Sequence, residues 1–250
     1  MGAYGIRSEY RPNPRPRAPN RAEAPAYWTP DRVRKSFRHQ YYAYRYARDV
    51  ALRSGARRVL DVGCGVATKL CRLFDERFEL FGVDQREAIS RCQELCPRGH
   101  WFVEDLEEPG PALRREAARG FDLIIASDVI EHLLDPDALL RYLRELASQE
   151  TRIVLSTPER DRLLGPDALK PSNPEHVREW SFGEFRRYVE GAGFRVLDHR
   201  RQLPHALRPD AMSLRFLRRQ LGGRRSLRTS QVLLCRRDQP DPGGSSSQDP

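Results

Sequence analysis

The segment RVLDVGCGVAT at residues 58–68 constrains the fold more than any other part of the chain. A short apolar run leads into a turn with glycine at positions 63 and 65, and a helical pattern begins at Thr68. Glycines at such a turn let the backbone approach a ligand closely, and the helix that follows presents free N–H groups. This strand–turn–helix unit is typical of α/β domains that bind nucleotide-like ligands, although a simple tight turn fits it too.

The rest of the chain repeats this alternation of short β-rich runs and helical stretches. Strands are predicted at residues 58–62, 79–83, 101–103, 121–126, 152–156, 194–199 and 231–235. Helices are predicted near 68–75, 87–95, 111–118, 136–148 and 182–191, with a helical N-terminal extension over 31–54. The alternation predicts an α/β fold with a doubly wound, Rossmann-like, mostly parallel seven-stranded sheet and helices on both faces. The last two strands are expected to pair at the edge of that sheet.

This domain is expected to span residues 27–237. Residues 1–26 carry Pro, Arg and Ala without periodicity, which predicts a disordered basic tail, and residues 238–250 are expected to form a second disordered tail. No run approaches the ~18 apolar residues of a membrane span, and the N-terminus lacks the apolar core of a secretory signal. We therefore expect a cytoplasmic protein without a membrane partner.

The cysteines and the charge point to no particular chemistry. The cysteines lack the spacing of a zinc site and predict reduced thiols at Cys64, Cys71, Cys92, Cys96 and Cys235. The net charge of +9 suits nucleic acid or an anionic substrate. It is nearly all arginine, which a GC-rich genome explains equally well, so charge alone does not establish a nucleic-acid partner.

Acidic residues follow the next strands in order. Asp84 ends the second strand in Phe-Gly-Val-Asp, Asp105 follows the third, and Asp128 follows the fourth. Open α/β sheets bind ligands at the edge where the carboxyl ends of their strands meet. A carboxylate after the second strand suits ribose hydroxyls, and one after the third suits the amine of an adenine. Any one of them is equally a helix cap or a solvated loop residue, but the ordered set indicates a binding site.

In order and spacing, VLDVGCGVATKL, FGVD, VEDL and FDLIIASDVIEHL resemble the motifs of class I S-adenosylmethionine-dependent methyltransferases, over about residues 28–236. Ala67 stands where many relatives have a third glycine, and its methyl group is small. A dehydrogenase of the same fold needs glycine in place of Thr68, so methyl transfer is the preferred interpretation. The resemblance implies S-adenosylmethionine as cofactor, held by Asp61, Gly63, Cys64 and Gly65 on the methionine side, Asp84 and Gln85 on the ribose, Asp105 and Leu106 beside the adenine, and Ser127 near the sulfonium.

Two histidines are candidate catalytic residues. Transfer from a sulfonium needs an in-line nucleophile and, for a hydroxyl acceptor, removal of its proton. His132 follows the fourth strand, and His176 lies in the long connection after the fifth. Because these strand ends meet at one edge of the sheet, we expect both imidazoles to share a pocket that faces the sulfonium. Each histidine also fits a purely structural hydrogen-bonding role.

The alternative to a histidine base is a metal ion. His132 belongs to an Asp-Val-Ile-Glu-His run in which Asp128 and Glu131 could join it as ligands. The resembling ubiquinone-pathway O-methyltransferases and small-RNA 2′-O-methyltransferases use a Glu-x-x-Glu-His version in this way. Asp128 replaces the first Glu here, and many class I relatives keep Glu-His without a metal. We therefore assign no metal ligand and keep the metal site as an open alternative.

The long connection at residues 156–180 ends in His-Val-Arg-Glu-Trp and resembles a bacterial branch associated with sugar and secondary-metabolite modification. It favours O-methylation of a small-molecule or glycan-type acceptor. One alternative is an RNA methyltransferase, favoured by the arginine-rich segment 214–228, although that segment lacks interleaved aromatic residues. The other is a non-catalytic partner protein that retains the cofactor-binding fold.

Overall fold

The structure is a computed structural model that describes residues 2–16, 27–223 and 226–238. Over these residues one sheet orders its seven strands β3-β2-β1-β4-β5-β7-β6. Strands β1 to β5 pair in parallel, and β7 runs antiparallel to both β5 and β6. The predicted α/β fold with a mostly parallel sheet is thereby confirmed. The strands are β1 Arg58–Val62, β2 Glu79–Asp84, β3 His100–Val103, β4 Leu123–Ser127, β5 Arg152–Pro158, β6 Phe194–Gln202 and β7 Ser230–Arg237.

The helices begin at recognisable capping residues. Thr29 and Asp135 accept backbone N–H groups at the starts of α1 and α6, and Ser181 and Glu184 form a capping box at the start of α8. Two short 3₁₀ turns cover Ala3–Gly5 and Ile130–His132. The helices are α1 Pro30–Ser36, α2 Tyr41–Ser54, α3 Thr68–Leu73, α4 Arg86–Leu95, α5 Ala112–Ala117, α6 Pro136–Leu146, α7 Arg160–Leu163, α8 Phe182–Gly191 and α9 Ala211–Gly222.

Apolar residues cover both faces of the sheet. Successive strand residues alternate between the faces, so that Val59 joins one buried cluster and Leu60 joins the other. Side chains of α2, α3 and α4 complete the cluster around Val59, and those of α5, α6 and α8 complete the cluster around Leu60. With both faces occupied, the carboxyl ends of the strands are the place where a polar site can form.

The N-terminal helical extension is broken, whereas the sequence predicted one helical stretch over 31–54. The break lies at 37–40, where Gln40 adopts a left-handed conformation with φ +52°. Its backbone N–H donates to Pro204 O at 3.0 Å, and its side-chain amide donates to Asp128 Oδ2 at 3.0 Å. Glutamine has no local preference for this conformation, so contacts distant in sequence determine the break.

Residues 2–16 are packed against the body, which corrects the prediction of a disordered tail over 1–26. Ile6 and Tyr10 are buried, with 4% and 8% of their surfaces exposed. The backbone N–H of Arg7 donates to Glu184 Oε1 at 3.0 Å, and the indole of Trp180 donates to Tyr4 O at 3.0 Å. The segment is held by a few buried apolar side chains, such as Ile6 and Tyr10, that are widely spaced in the sequence. The average composition of residues 1–26 does not reveal them. Residues 17–26 and 239–250 lie outside the described part of the chain.

The cysteines also differ from the prediction of five reduced thiols. Cys71 and Cys96 form a disulfide, whereas Cys64, Cys92 and Cys235 are free and buried. Cys71 lies in α3, and Cys96 directly follows α4. The two positions are 25 residues apart in sequence. They meet because α3 and α4 pack on the same face of the sheet.

Replacement of Ile6 by alanine should lower the free energy of unfolding by about 2–5 kcal/mol, because a buried side chain leaves a cavity. Urea denaturation measures the change. The control is Leu95→Ala on the surface of α4, where 52% of the leucine is exposed and about 0.5 kcal/mol at most is expected. Equal stability of the two variants would show that the N-terminal segment does not pack on the body.

Candidate functional site

The glycine-rich turn after β1 is tied to β2. The N–H groups of Gly63 and Cys64 donate to Val83 O at 2.9 and 3.2 Å, and the thiol of Cys64 donates to Gly65 O at 3.4 Å. Both glycines are left-handed, with φ of +76° at Gly63 and +55° at Gly65. A side chain at Gly63 would lie 2.3 Å from a methyl group of Val129. Packing against Val129 is therefore what excludes a side chain at Gly63.

Asp84, at the end of β2, organises the same turn. Its carboxylate accepts the N–H of Gly65 at 2.8 Å and the N–H of Gln85 at 2.7 Å. Burial raises the pKa of Asp84, and these two N–H groups oppose that rise. Asp84 thereby binds Gly65 and Gln85, and these three sequence-predicted site residues lie together at the carboxyl ends of β1 and β2.

Asp61 is fully buried inside β1, beneath the turn. Its Oδ2 accepts the hydroxyl of Tyr44 at 2.8 Å, while Oδ1 has no hydrogen-bond partner among the described residues. Burial raises the pKa of Asp61 to about 7, against the lowering effects of the Tyr44 hydrogen bond and the Lys69 ammonium. A buried acceptor without a partner calls for a donor group from a ligand or water. Sequence reasoning missed Tyr44, which is one of several tyrosines in α2.

The residues assigned to the adenine lie on the outer side of the β3 end. Asp105 is exposed and accepts the N–H of Glu107 at 3.0 Å within a turn, and Leu106 packs partly buried against the core. The buried acid here is Glu104, which accepts the hydroxyl of Tyr142 and the N–H of Leu113.

A chain of hydrogen bonds crosses the ends of β4 and β5. The Ser127 and Ser156 hydroxyls lie 2.7 Å apart, and the Ser156 hydroxyl donates to Asp128 Oδ1 at 2.8 Å. The amide of Gln40 occupies the other oxygen of Asp128, which is itself left-handed with φ +55°. Both oxygens of Asp128 are therefore engaged, and these contacts hold the residue in its left-handed conformation.

His132 and His176 lie in contact, with ring centroids 4.8 Å apart and ring planes nearly perpendicular. The two imidazoles therefore meet at one edge of the sheet, as the order of the strands predicted; that they line an acceptor pocket facing the sulfonium stays a prediction. Burial, with a smaller contribution from His176, lowers the pKa of His132 to about 4, so His132 is neutral at pH 7. Its Nδ1 lies 3.0 Å from Glu175 O, to which a neutral ring donates Nδ1–H. The lone pair of His132 is therefore on Nε2.

Glu131 completes a cluster with the two histidines. Its Oε2 accepts the hydroxyl of Thr157 at 3.1 Å, and its Oε1 is buried without a hydrogen-bond partner among the residues that the structure describes. Burial and the nearby charge of Asp128 raise the pKa of Glu131 well above its usual value. One ligand-type atom from each of Glu131, His132 and His176 lies within 4.8 Å of the others. Asp128, which the sequence placed beside Glu131 and His132, is outside this group, and His176 takes its place.

Hydrogen bonds orient the second imidazole as well. His176 Nδ1 lies 2.7 Å from Glu179 Oε1, and the amide of Asn173 lies 3.0 Å from Nε2. Each histidine thus directs Nδ1 to a backbone carbonyl or a carboxylate, which is how proteins orient metal-ligating histidines. Glu179 is fully buried and also accepts the N–H and hydroxyl of Ser172.

An aromatic pair that sequence reasoning missed lies over the turn. The indole of Trp28 lies against Gly65, where a Cβ would be 3.0 Å from its ring, and the backbone N–H of Trp28 donates to Glu87 Oε1 at 3.3 Å. The guanidinium of Arg32 stacks 3.7 Å from the centre of the neighbouring Tyr27 ring and lies 3.8 Å from Glu175 Oε1. This segment therefore joins the glycine-rich turn to the loop that holds His132.

Comparison with known proteins agrees with this arrangement. Residues 35–199 match the methyltransferase domain family. The chain belongs to that family. It is a class I methyltransferase domain, and its cofactor is S-adenosylmethionine.

Two curated methyltransferases resemble the chain in sequence over part of their length. A small RNA 2′-O-methyltransferase of Mus musculus is 32% identical over 162 residues, which cover 58% of this chain and 40% of the relative. A ubiquinone biosynthesis O-methyltransferase of Bradyrhizobium sp. (strain ORS 278) is 28% identical over 159 residues, which cover 54% of this chain and 60% of the relative. The chain thus spans less than two thirds of the length of these relatives.

The Burkholderia thailandensis 1,6-didemethyltoxoflavin-N1-methyltransferase, solved with S-adenosylhomocysteine, shares the fold at a TM-score of 0.55. The two sequences are 19% identical, and the match covers 79% of each chain.

Replacement of Asp84 by alanine should weaken S-adenosylhomocysteine binding at least ~10-fold, because the carboxylate orders the turn and offers charged acceptors. Isothermal titration calorimetry measures the affinity. Glu94→Ala, which removes an exposed carboxylate from α4, is the control and should bind normally. Unchanged affinity of the Asp84 variant would remove this residue from the cofactor site.

Binding of S-adenosylhomocysteine should change the fluorescence of Trp28, because the indole lies against the glycine that the cofactor is expected to approach. Trp28→Phe should abolish most of the change, whereas the partly buried Trp101 and the buried Trp180 remain in both proteins. A signal of equal size in wild type and variant would show that Trp28 does not respond to the cofactor.

Proposed function

We propose that this methyltransferase domain transfers the methyl group of S-adenosylmethionine to a hydroxyl of a small-molecule or glycan-type acceptor. Glu131, His132 and His176 form the proposed reaction centre. The observation that carries the proposal is a buried carboxylate oxygen of Glu131 that has no partner among the described residues and is grouped with one imidazole after β4 and another after β5. Proton removal from a hydroxyl is the step that such a group can assist.

The cofactor is proposed to lie along the carboxyl edge of the sheet. Its methionine portion would meet the glycine-rich turn. There Oδ1 of Asp61, which has no partner among the described residues, would accept a hydrogen bond from the amino group of the cofactor. Asp84 and Gln85 would bind the ribose, and the β3 end would flank the adenine. The residues proposed for these contacts are Asp61, Gly63, Cys64, Gly65, Asp84, Gln85, Asp105, Leu106 and Ser127.

The donor set of the reaction centre fits a divalent first-row cation. Imidazole nitrogens and a carboxylate are suitable ligands, and both imidazoles carry the supporting Nδ1 hydrogen bonds. Glu131, His132 and His176 would hold the ion. The side-chain amide of Asn173 would then give up its hydrogen bond to Nε2 of His176. A bound cation would lower the pKa of an acceptor hydroxyl. The chain itself orients the two rings and keeps His132 neutral, and the same neutral imidazole is the proposed base if no cation binds.

RNA is the second candidate acceptor, favoured by the similarity to a small RNA 2′-O-methyltransferase. A ribose 2′-hydroxyl requires the same proton removal as a sugar hydroxyl. The arginine-rich segment 214–228 that suggested RNA contains the end of α9, while residues 224–225 and the side chain of Arg219 lie outside the described part of the protein.

Glu131→Gln, His132→Ala and His176→Ala should each reduce methyl transfer roughly 10²–10⁴-fold while affinity for S-adenosylhomocysteine stays near normal. Chelation should abolish turnover, and a divalent cation should restore it. His100→Ala, an exposed histidine at the start of β3, is the matched control. Full activity after chelation would exclude the cation, and full activity of all three variants would exclude the reaction centre.

Acceptor panels with a labelled methyl donor distinguish the two acceptor classes. Transfer is expected to hydroxylated small molecules or sugars, with only weak and salt-sensitive association with RNA. Specific transfer to an RNA 2′-hydroxyl would favour the second candidate. Tight cofactor binding without transfer to any acceptor would favour a non-catalytic role.

A further inference from the structure

Helix α9 has polar residues on its buried side and leucines on its exposed side. Ser213 and Gln220 are each only 3% exposed, whereas Leu214 is 48% exposed and Leu221 is 66% exposed. Ser213 is held by hydrogen bonds to Arg38 and to the backbone of Arg208. A helix whose outer side faces only water shows the opposite distribution of polar and apolar residues.

The leucines form a stripe with charged residues beside it. Leu214, Leu217 and Leu221 follow the i, i+3, i+7 spacing of one helical side. Arg215 and Arg218 are exposed on the adjacent side. The sequence from 211 to 237 contains no Asp or Glu, and its arginines are at positions 215, 218, 219, 224, 225, 228, 236 and 237.

We propose that α9 binds the surface of an anionic lipid bilayer and lies parallel to it. The leucine stripe would enter the boundary between headgroups and acyl chains, and the flanking arginines would meet lipid phosphates. Apolar residues alone would fit a protein partner equally well. The uninterrupted positive charge beside them is complementary to an anionic surface.

A lipid surface fits α9 better than RNA does. Single-stranded RNA sites combine arginines with exposed aromatic rings that stack on bases. The described ring in α9, that of Phe216, packs against His205 with ring centroids 4.7 Å apart. Exposed leucines gain nothing from a phosphate backbone, whereas they are stabilised in a bilayer.

Surface binding does not require a membrane span. No helix in the described ranges is long and apolar enough to cross a bilayer. The sequence-based expectation of no membrane partner rested on that criterion, which a helix lying in the interface does not have to meet.

The position of α9 relates this surface to the candidate site. Arg38 donates to Asp210, which directly precedes the helix, and to Ser213 in its first turn at 2.9 Å. Two residues further along the chain, Gln40 donates to Asp128 at the end of β4. A bilayer under α9 would therefore lie beside the catalytic edge of the sheet. The proposal concerns the surface alone and does not depend on which acceptor is methylated.

Vesicle co-sedimentation of the full chain tests the proposal. Binding is expected to vesicles of phosphatidylcholine with 30% phosphatidylglycerol, on the order of 10-fold stronger than to pure phosphatidylcholine, and it should weaken at high salt. The double variant L214N/L221N should lose at least ~10-fold of this binding, and R215Q/R218Q should lose its dependence on phosphatidylglycerol.

The control is L52N/L95N, which changes two leucines of similar exposure on α2 and α4 and should bind vesicles normally. Circular dichroism and S-adenosylhomocysteine binding verify that each variant is folded. Vesicle binding that is unchanged in L214N/L221N would overturn the proposal, as would equal binding to both lipid compositions. Absence of vesicle binding together with a wild-type dimer that L214N/L221N dissociates would instead assign the stripe to a second copy of the chain.

Discussion

The candidate reaction centre depends on the backbone carbonyl of Glu131. This carbonyl accepts the N–H of Val177 at 2.8 Å and that of Arg178 at 3.4 Å, which pins the long connection after β5 to the turn after β4. The guanidinium of Arg178 adds two hydrogen bonds to Leu133 O and Leu134 O, both at 2.9 Å. Because of these contacts, His176 comes to lie beside His132, although 44 positions separate them in the chain numbering.

The N-terminal segment supports the same loop from outside. The hydroxyl of Tyr10 accepts the N–H of Glu179, and the carboxylate of Glu179 binds the imidazole of His176. The fully buried Arg160 forms an ion pair with Glu184 at 2.7 Å and donates to Glu179 O. A buried charge is tolerated when it is paired in this way, and the pairing makes the position of the loop well defined. Residues far from the cofactor turn therefore determine the geometry of the candidate reaction centre.

The two halves of the candidate site are built by different means. The half proposed to bind the cofactor is local: the carboxylate of Asp84 joins a turn, a strand end and a helix start. The half around His132 gathers residues from the loop after β5 and from the turn after β4, and the ion pair between Glu175 and Arg32 connects it to helix α1. Loop residues around His132 can therefore differ between related enzymes with different acceptors while the glycine-rich turn after β1 stays the same.

The sequence by itself determined the fold class, the strand positions to within a few residues and the glycine-rich turn after β1, because periodicity and glycine placement are local properties. It also brought His132 and His176 to one edge, since parallel strands present their carboxyl ends together. The tertiary structure alone decided that His176 rather than Asp128 groups with Glu131, because Gln40 and Ser156 occupy both oxygens of Asp128. It likewise decided the packing of residues 2–16, the Cys71–Cys96 bond and the cover that Trp28 forms over Gly65. These features join residues distant in the chain, and no local pattern in a single sequence records which distant residues meet.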